Sequence, residues 1–287
     1  MITFPQLNHK GRLGNQLFQI ASTIGVGKTL GHAPCFPDWE YAHCFKNKLP
    51  SCVNQKGQSA IAITEKFSGY SEILKESMPP SENFALNGYF QSEKYFKDAE
   101  EEVRKAFEFS DDIKEYIQNK YSHLLEAYDT SIHVRRGDYL NLKHIYHTLS
   151  HLYYFKATSV LLIKKAVIFS DDIEWCKTIF KPIDCVFINE REHDSYQISY
   201  TETAEQNAKK FTTEDVTELA LMSMFKNNII SNSTFSWWAA WLNSNPKKQV
   251  IAPRLWYSED RVQQIISPEK RDGEYINDLI PISWTKV

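Results

Sequence analysis

The chain has 287 residues, 42% of them hydrophobic and 14% aromatic, and a formal net charge of -3. That is enough apolar material for one large core or two medium ones. It carries no long Lys/Arg run, so a nucleic-acid partner is not expected.

Met1 precedes a glycine motif at Gly11, which leaves little room for a signal peptide or anchor. Apolar runs such as residues 160–163 fall far short of the ~20 residues of a membrane span. A cytoplasmic chain without a transmembrane segment is expected. Five cysteines with no Cys-x-x-Cys pair point the same way, to a reducing compartment. Cys35, Cys44 and Cys52 lie near His32 and His43, but the spacings fit no zinc pattern, so no metal is expected there.

Residues 16–30 read as a helix, with Leu17, Ile20, Ala21 and Ile24 at helical spacing and Gly31 as its C-terminal cap. Residues 46–82 are polar and carry Pro50, Pro79 and Pro80; they read as loop with short strand near 60–64. Residues 97–127 predict two helices broken near Ser110-Asp111-Asp112, with Val103, Phe107, Ile113, Tyr116, Ile117 and Leu124 as the apolar stripe. Strands then alternate with helices. Strands are predicted at 131–134, 166–169, 185–188, 228–230 and 250–252. Helices are predicted at 153–163, around Trp175 and Ile179, at 214–226 and at 235–242. That alternation means a parallel, wound α/β sheet. No internal repeat or low-complexity tract interrupts it. Arg135, Asp171 and Ser233 each follow a strand, so they can converge at the carboxyl edge of the sheet.

Two glycine turns compete for a phosphate. Gly25-Val26-Gly27-Lys28-Thr29 looks like the end of a Walker A loop, but that loop needs a glycine at position 22, where Ser22 stands, and a strand before it. It reads as the end of a helix, with Lys28 a solvated charge. Gly11-Arg12-Leu13-Gly14-Asn15-Gln16 fits better: Gly11 and Gly14 allow close backbone approach, and the following helix offers unpaired N–H groups. A tight packing turn is its plain alternative.

His133-Val134-Arg135-Arg136-Gly137-Asp138 sets two guanidinium groups at a strand end, and arginine grips phosphate oxygens in a fork. One arginine is expected to pair with Asp138, Arg136 being the candidate, while Arg135 faces the crevice. Ser231-Asn232-Ser233-Thr234-Phe235-Ser236 precedes a helix, so hydroxyls and backbone N–H groups gather where an anion can sit. Ser233 or Thr234 serves equally as an N-cap. Asp171 or Asp172 is the N-cap of the next helix, or accepts from a ribose or guanine edge.

These stretches resemble a known family. Lys10 to Gln19, His133 to Tyr139 and Ser231 to Trp238, with Asn87-Gly88-Tyr89-Phe90-Gln91-Ser92 and Phe169-Ser170-Asp171-Asp172, resemble the α-1,2-fucosyltransferases of glycosyltransferase family eleven, in order along nearly the whole chain. The resemblance implies a GT-B-like α/β fold: two Rossmann-type domains with parallel sheets facing across a cleft. The expected division is 1–127 for the acceptor side and 128–287 for the donor side. It implies GDP-β-L-fucose as donor, a galactose-terminated glycan as acceptor, inversion at the anomeric carbon, and no cofactor or metal. It sets no oligomeric state.

Carried over, Arg135 holds the β-phosphate, and His133, Asp171 and Asp172 lie near the guanosine. Ser233, Thr234 and Phe235 line the diphosphate, and Gly14 and Asn15 face it. Gly88, Tyr89, Phe90 and Gln91 border the acceptor. The segment from Asn141 to His147 is short and lacks the family's His-Gly step, so the acceptor loop departs from the pattern. Asp138 is the first candidate for a catalytic base, with orientation of an arginine as its rival role. His147 is the second, and a dissociative reaction without a base is the third reading. Two other classes stay open. One is a metal-dependent transferase using Asp171-Asp172. The other is a sugar-binding protein with Trp237, Trp238 and Trp241 as a stacking platform, although their spacing with Ala239, Ala240 and Leu242 is that of a core helix.

Overall fold

The structure is a computed structural model that describes residues 1–52, 59–74, 76, 78–188, 204–265 and 275–287. The chain forms two compact units, Met1–Ser110 with Ile265–Pro281, and Asp111–Gln264 with Ile282–Val287.

The first unit opens with β1 (Ile2–Thr3), followed by α1 (Leu13–Leu30), β2 (Pro34–Cys35), β3 (Ile61–Thr64), β4 (Phe84–Asn87) and α2 (Glu100–Ala106). The four strands form one parallel sheet in the order β2-β1-β4-β3. Leu13, Leu17, Phe18, Ile20 and Ala21 bury α1 against this sheet and its neighbours. Gly31 ends the helix in the left-handed region at φ 79, with its N–H on the Gly27 carbonyl. The glycines before it serve packing. A Cβ on Gly25 would overlap the Tyr95 carbonyl oxygen and the Phe96 backbone. One on Gly27 would lie 2.6 Å from the His32 carbonyl oxygen and 2.9 Å from Ile2. Lys28 pairs with Glu102 on α2 and binds no loop of its own.

The second unit contains α3 (Asp111–Ala127), β5 (Thr130–Val134), α4 (His151–Val160), β6 (Lys165–Ser170), α5 (Ile173–Ile179), β7 (Asp184–Ile188), α6 (Ala204–Ser223), β8 (Asn227–Ile229), α7 (Thr234–Leu242) and β9 (Val250–Ala252). α8 (Glu259–Ile265) ends at the border between units, α9 (Tyr275–Leu279) belongs to the first, and β10 (Thr285–Lys286) returns to the second. Six parallel strands run in the order β10-β9-β8-β5-β6-β7. β5 is buried along its whole length, and its polar members Thr130, Ser131 and His133 are buried with it. Trp237, Trp238 and Trp241 are buried and pack among themselves, with Trp284 on Trp237, so they form core and offer no stacking platform to a sugar.

Three expectations need correction. The units divide after Ser110 and again at 264/265, not at 127/128: α3 packs on α6 of the second unit, and α9 packs beside the turn Glu93–Tyr95 of the first. Cys35 and Cys52 form a disulfide where free thiols were expected. The bridge between the neighbouring Phe36 and Ser51 brings the two cysteines together, with the Cα atoms of Cys35 and Cys52 5.1 Å apart, within disulfide reach. Finally, α6 begins at Ala204, ten residues before the apolar spacing that marked its start.

Candidate active site

Ligand crevices in wound sheets open at the strand carboxyl ends where the winding reverses. In the second unit this point lies between β5 and β8, because β6 and β7 continue to one side and β9 and β10 to the other. The loop after β5 carries Arg135, Arg136 and Asp138. The loop after β8 carries Ser231, Asn232 and Ser233.

Arg135 is gripped by two carboxylates. Its Nη2 donates to Asp138 Oδ2 at 2.6 Å, and its Nη1 lies 2.9 Å from Asp171 Oδ2. The guanidinium also sits 5.7 Å from the ring centre of Tyr139. Burial works against its charge, but Asp171 and Asp138 more than offset that, so its pKa is raised and it stays protonated. Arg136 takes a different partner from the one expected. Its Nε donates to Asp172 Oδ2 at 3.1 Å and its guanidinium lies 4.5 Å from the ring centre of Trp175. The partner of Asp138 is thus Arg135, because the short turn Asp138–Leu140 folds the carboxylate back by three residues. Asp172 caps α5 by accepting from the Trp175 N–H, and Asp171 accepts from the Arg136 N–H at 2.8 Å.

His133 is buried on β5, and its Nδ1 lies 2.8 Å from Ser231 Oγ. Burial, with Arg135 nearby, pushes its pKa down to about 3, so the imidazole is neutral. Its ring packs 5.7 Å from Phe235. Ser233 is the N-cap of α7, accepting from the Phe235 N–H, and Thr234 and Phe235 begin the helix half-exposed. Asn232 Nδ2 donates to the carbonyls of His147 and Trp256, which ties the His147 loop to the β8 loop. The His147 pKa is lowered by burial, against the opposing charge of Glu259. One loop system therefore unites His133, Arg135, Asp138, Asp171, Asp172 and Ser233, with His147 fastened through its backbone.

The first unit repeats the arrangement. Its winding reverses between β1 and β4. The loop after β1 leads through Gly11 (φ 83) into α1, whose N-cap Arg12 supplies no side-chain cap. Gln19 Nε2 donates to the Lys10 carbonyl, and Gln16 Nε2 to the Gly11 carbonyl, which holds this turn. The loop after β4 is Gly88-Tyr89-Phe90-Gln91, and Gln91 Nε2 donates to Asn15 Oδ1 at 2.7 Å. Gly14, Asn15, Gly88, Tyr89 and Gln91 thus share one sheet edge.

Sequence reasoning missed Glu65, whose carboxylate accepts from the Tyr89 and Phe90 N–H groups. It also missed Trp175 under Arg136 and Tyr139, whose hydroxyl donates to the Asn232 carbonyl.

Residues 3–276 match the profile of Glycosyl transferase family 11. The chain belongs to this family. The O-antigen biosynthesis glycosyltransferase WbnK of Escherichia coli is 29% identical, over 86% of this chain and 93% of its own. An Escherichia coli alpha-1,2-colitosyltransferase is 32% identical, over 79% of this chain and 74% of its own. Among solved structures, NodZ alpha-1,6-fucosyltransferase soaked with GDP-fucose superimposes with a TM-score of 0.52 at 12% identity, covering 84% of this chain and 91% of that one. The family 11 chain is GT-B-like, with two parallel α/β sheets. Among the described residues, no helix is long and apolar enough to cross a membrane.

Proposed function

We propose that this family 11 chain is an inverting transferase that moves L-fucose from GDP-β-L-fucose to the 2-hydroxyl of a terminal galactoside, acting without a metal. The observation that carries this reading is the charged Arg135 at the sheet's switch point, in the same loop system as the Ser233-capped start of α7.

Departure of GDP builds negative charge on the leaving diphosphate, and stabilising that charge with donors already in place is usually the largest catalytic term. Arg135 supplies a guanidinium whose plane is set by Asp138 and Asp171, and α7 supplies N–H groups at its positive end. The neutral His133 packs beside Phe235 and lends no charge of its own. In this reading Asp138 orients Arg135 until the donor arrives; the bond to the diphosphate breaks first, and the acceptor hydroxyl gives its proton late, to solvent water, as its oxygen bonds to the anomeric carbon.

A metal-dependent variant using Asp171 and Asp172 is disfavoured by their partners. Each carboxylate already faces a guanidinium, and a divalent cation there would meet Arg135 and Arg136 at close range. The test is transfer from GDP-fucose to a panel of β-galactosides with and without EDTA, with the new linkage assigned by NMR. An α-1,2-fucosyl product formed in EDTA supports the proposal, and absence of transfer to every galactoside rejects it. The name of the colitosyltransferase relative favours a second reading, in which GDP-colitose is the donor. The ratio of kcat/KM for the two donors decides between them. A lectin would ignore GDP; a transferase is stabilised by it.

A further inference from the structure

We propose that Glu65 is a positioning residue for the acceptor: its ionised carboxylate clamps the turn that presents Tyr89 and Gln91. The proposal rests on the transferase reading, and it concerns a residue outside every motif that marked the site.

Glu65 extends β3 by one step, its N–H donating to the Asn87 carbonyl at 2.9 Å. Its side chain crosses to the β4 loop. Oε2 accepts from the Tyr89 N–H at 2.6 Å and Oε1 from the Phe90 N–H at 3.0 Å. Two successive backbone N–H groups converging on one anion form a small nest. The backbone is bent to make it: Phe90 has φ 51, in the left-handed region that a phenylalanine rarely enters. Gly88 makes room, because a Cβ there would overlap Glu65 Cβ and lie 2.8 Å from Oε2. From the other side, Ser22 Oγ donates to the Phe90 carbonyl and Asn15 accepts from Gln91. With the turn gripped on both flanks, Tyr89 stays 39% exposed, with the Lys10 ammonium 5.2 Å from its ring centre.

The clamp is sensitive to protonation. Burial raises the Glu65 pKa to about 7, against the Tyr89 and Phe90 N–H groups and the charge of Lys10. The charged and titratable groups facing it are Lys10, from the loop before α1, and Tyr95, from the turn Glu93–Tyr95. Lys10 is held in place by a 3.2 Å bond to Asn87 Oδ1. Protonation weakens both N–H bonds at once, so the turn loosens as pH falls through about 7.

The test is steady-state kinetics at saturating GDP-fucose with lactose as the varied acceptor, on the full chain and on Glu65→Gln and Gly88→Ala. For the wild type, acceptor KM should rise about tenfold between about pH 8 and pH 6, the order set by losing a charge-assisted hydrogen bond. In Glu65→Gln, acceptor KM should already be up by about tenfold at pH 8 and stay flat with pH, while GDP affinity holds. Gly88→Ala, which pushes the carboxylate away, should behave like Glu65→Gln. A second readout needs no turnover: amide exchange of residues 84–96 should speed up by about tenfold in Glu65→Gln at pH 8. An unchanged acceptor KM in Glu65→Gln, or unchanged exchange, overturns the proposal. A wild type that fucosylates no galactoside overturns the transferase reading instead, and the exchange measurement still decides whether Glu65 clamps the turn.

Discussion

Replacing Arg135 by alanine removes a side chain that pairs with both Asp138 and Asp171. The loops would be left with three carboxylates, Asp138, Asp171 and Asp172, of which Asp172 keeps its pairing with Arg136. Two penalties follow for a diphosphate. It loses a forked donor, and it meets two carboxylates that no longer have a counter-charge. At an effective dielectric constant near 20, unit charges about 4 Å apart interact by about 4 kcal/mol. Loss of one well-placed donor to a developing anion typically costs about 10²–10³ in rate. The expected result is a fall in kcat/KM for GDP-fucose of about 10²-fold or more. Arg135→Lys should sit between, about tenfold down, because an ammonium keeps the charge but cannot bridge both aspartates in a plane. Folding should survive at reduced stability, since the carboxylates left behind, Asp138 and Asp171, are 45% and 26% exposed and water partly compensates them. Stopped-time assays of GDP release with the acceptor present, alongside calorimetric GDP binding, measure both effects. A variant that keeps kcat/KM within about threefold of wild type refutes the argument.

Asp138→Asn should lower kcat/KM for GDP-fucose by about tenfold, because Arg135 is less well aimed in the free enzyme when the donor arrives, leaving the shape of the pH–rate profile unchanged; loss of the acid limb would make Asp138 the base instead. Gly25→Ala would stabilise an exposed helix by about 1 kcal/mol, but here its Cβ overlaps backbone at Tyr95 and Phe96, so a net loss of about 1–3 kcal/mol is expected. Urea unfolding measures it, and an unchanged or raised midpoint contradicts the packing argument. His133 has a lowered pKa, so its contribution to stability is present above its ordinary value near 6.5 and is lost as pH falls toward about 3. The urea midpoint should therefore drop over that range, and the drop should be shallower in His133→Gln.

Local periodicity and turn chemistry made much of this legible. Strand–helix alternation after residue 130 marks the second sheet because its strands are buried and short, and each polar motif lies where a buried strand ends. The Ser22 mismatch removes the Walker reading, and the structure supplies the reason for the glycines: α1 runs hard against backbone at Gly25 and Gly27. The arginine pairing was not legible. Arg135 and Arg136 are adjacent and chemically equal, and only the backward fold of the Asp138–Leu140 turn assigns their partners. Glu65 gave no signal, since β3 is a four-residue strand with a mostly exposed pattern and its carboxylate acts on a turn 24 residues away. The unit boundary was hidden for a similar reason: a charged helix such as α3 carries the same pattern whichever unit it covers, and the return of α9 is a long-range contact.

On the proposed reading, the two carboxylates on Arg135 have unequal parts. Asp171 uses both oxygens, Oδ2 on Arg135 and Oδ1 on the Arg136 N–H, so it cannot leave without also giving up its hydrogen bond to the loop backbone. Asp138 is the more exposed, 45% against 26% for Asp171, and sits on a short turn. A diphosphate arriving at the guanidinium therefore displaces Asp138, which moves into water at little expense, while Asp171 keeps the fork aimed. A partly buried cation needs a counter-charge in every state. Asp138 supplies it when no anion is bound, and the leaving diphosphate supplies it during transfer. One rigid partner and one yielding partner keep the arginine both preorganised and available, which two rigid partners would prevent.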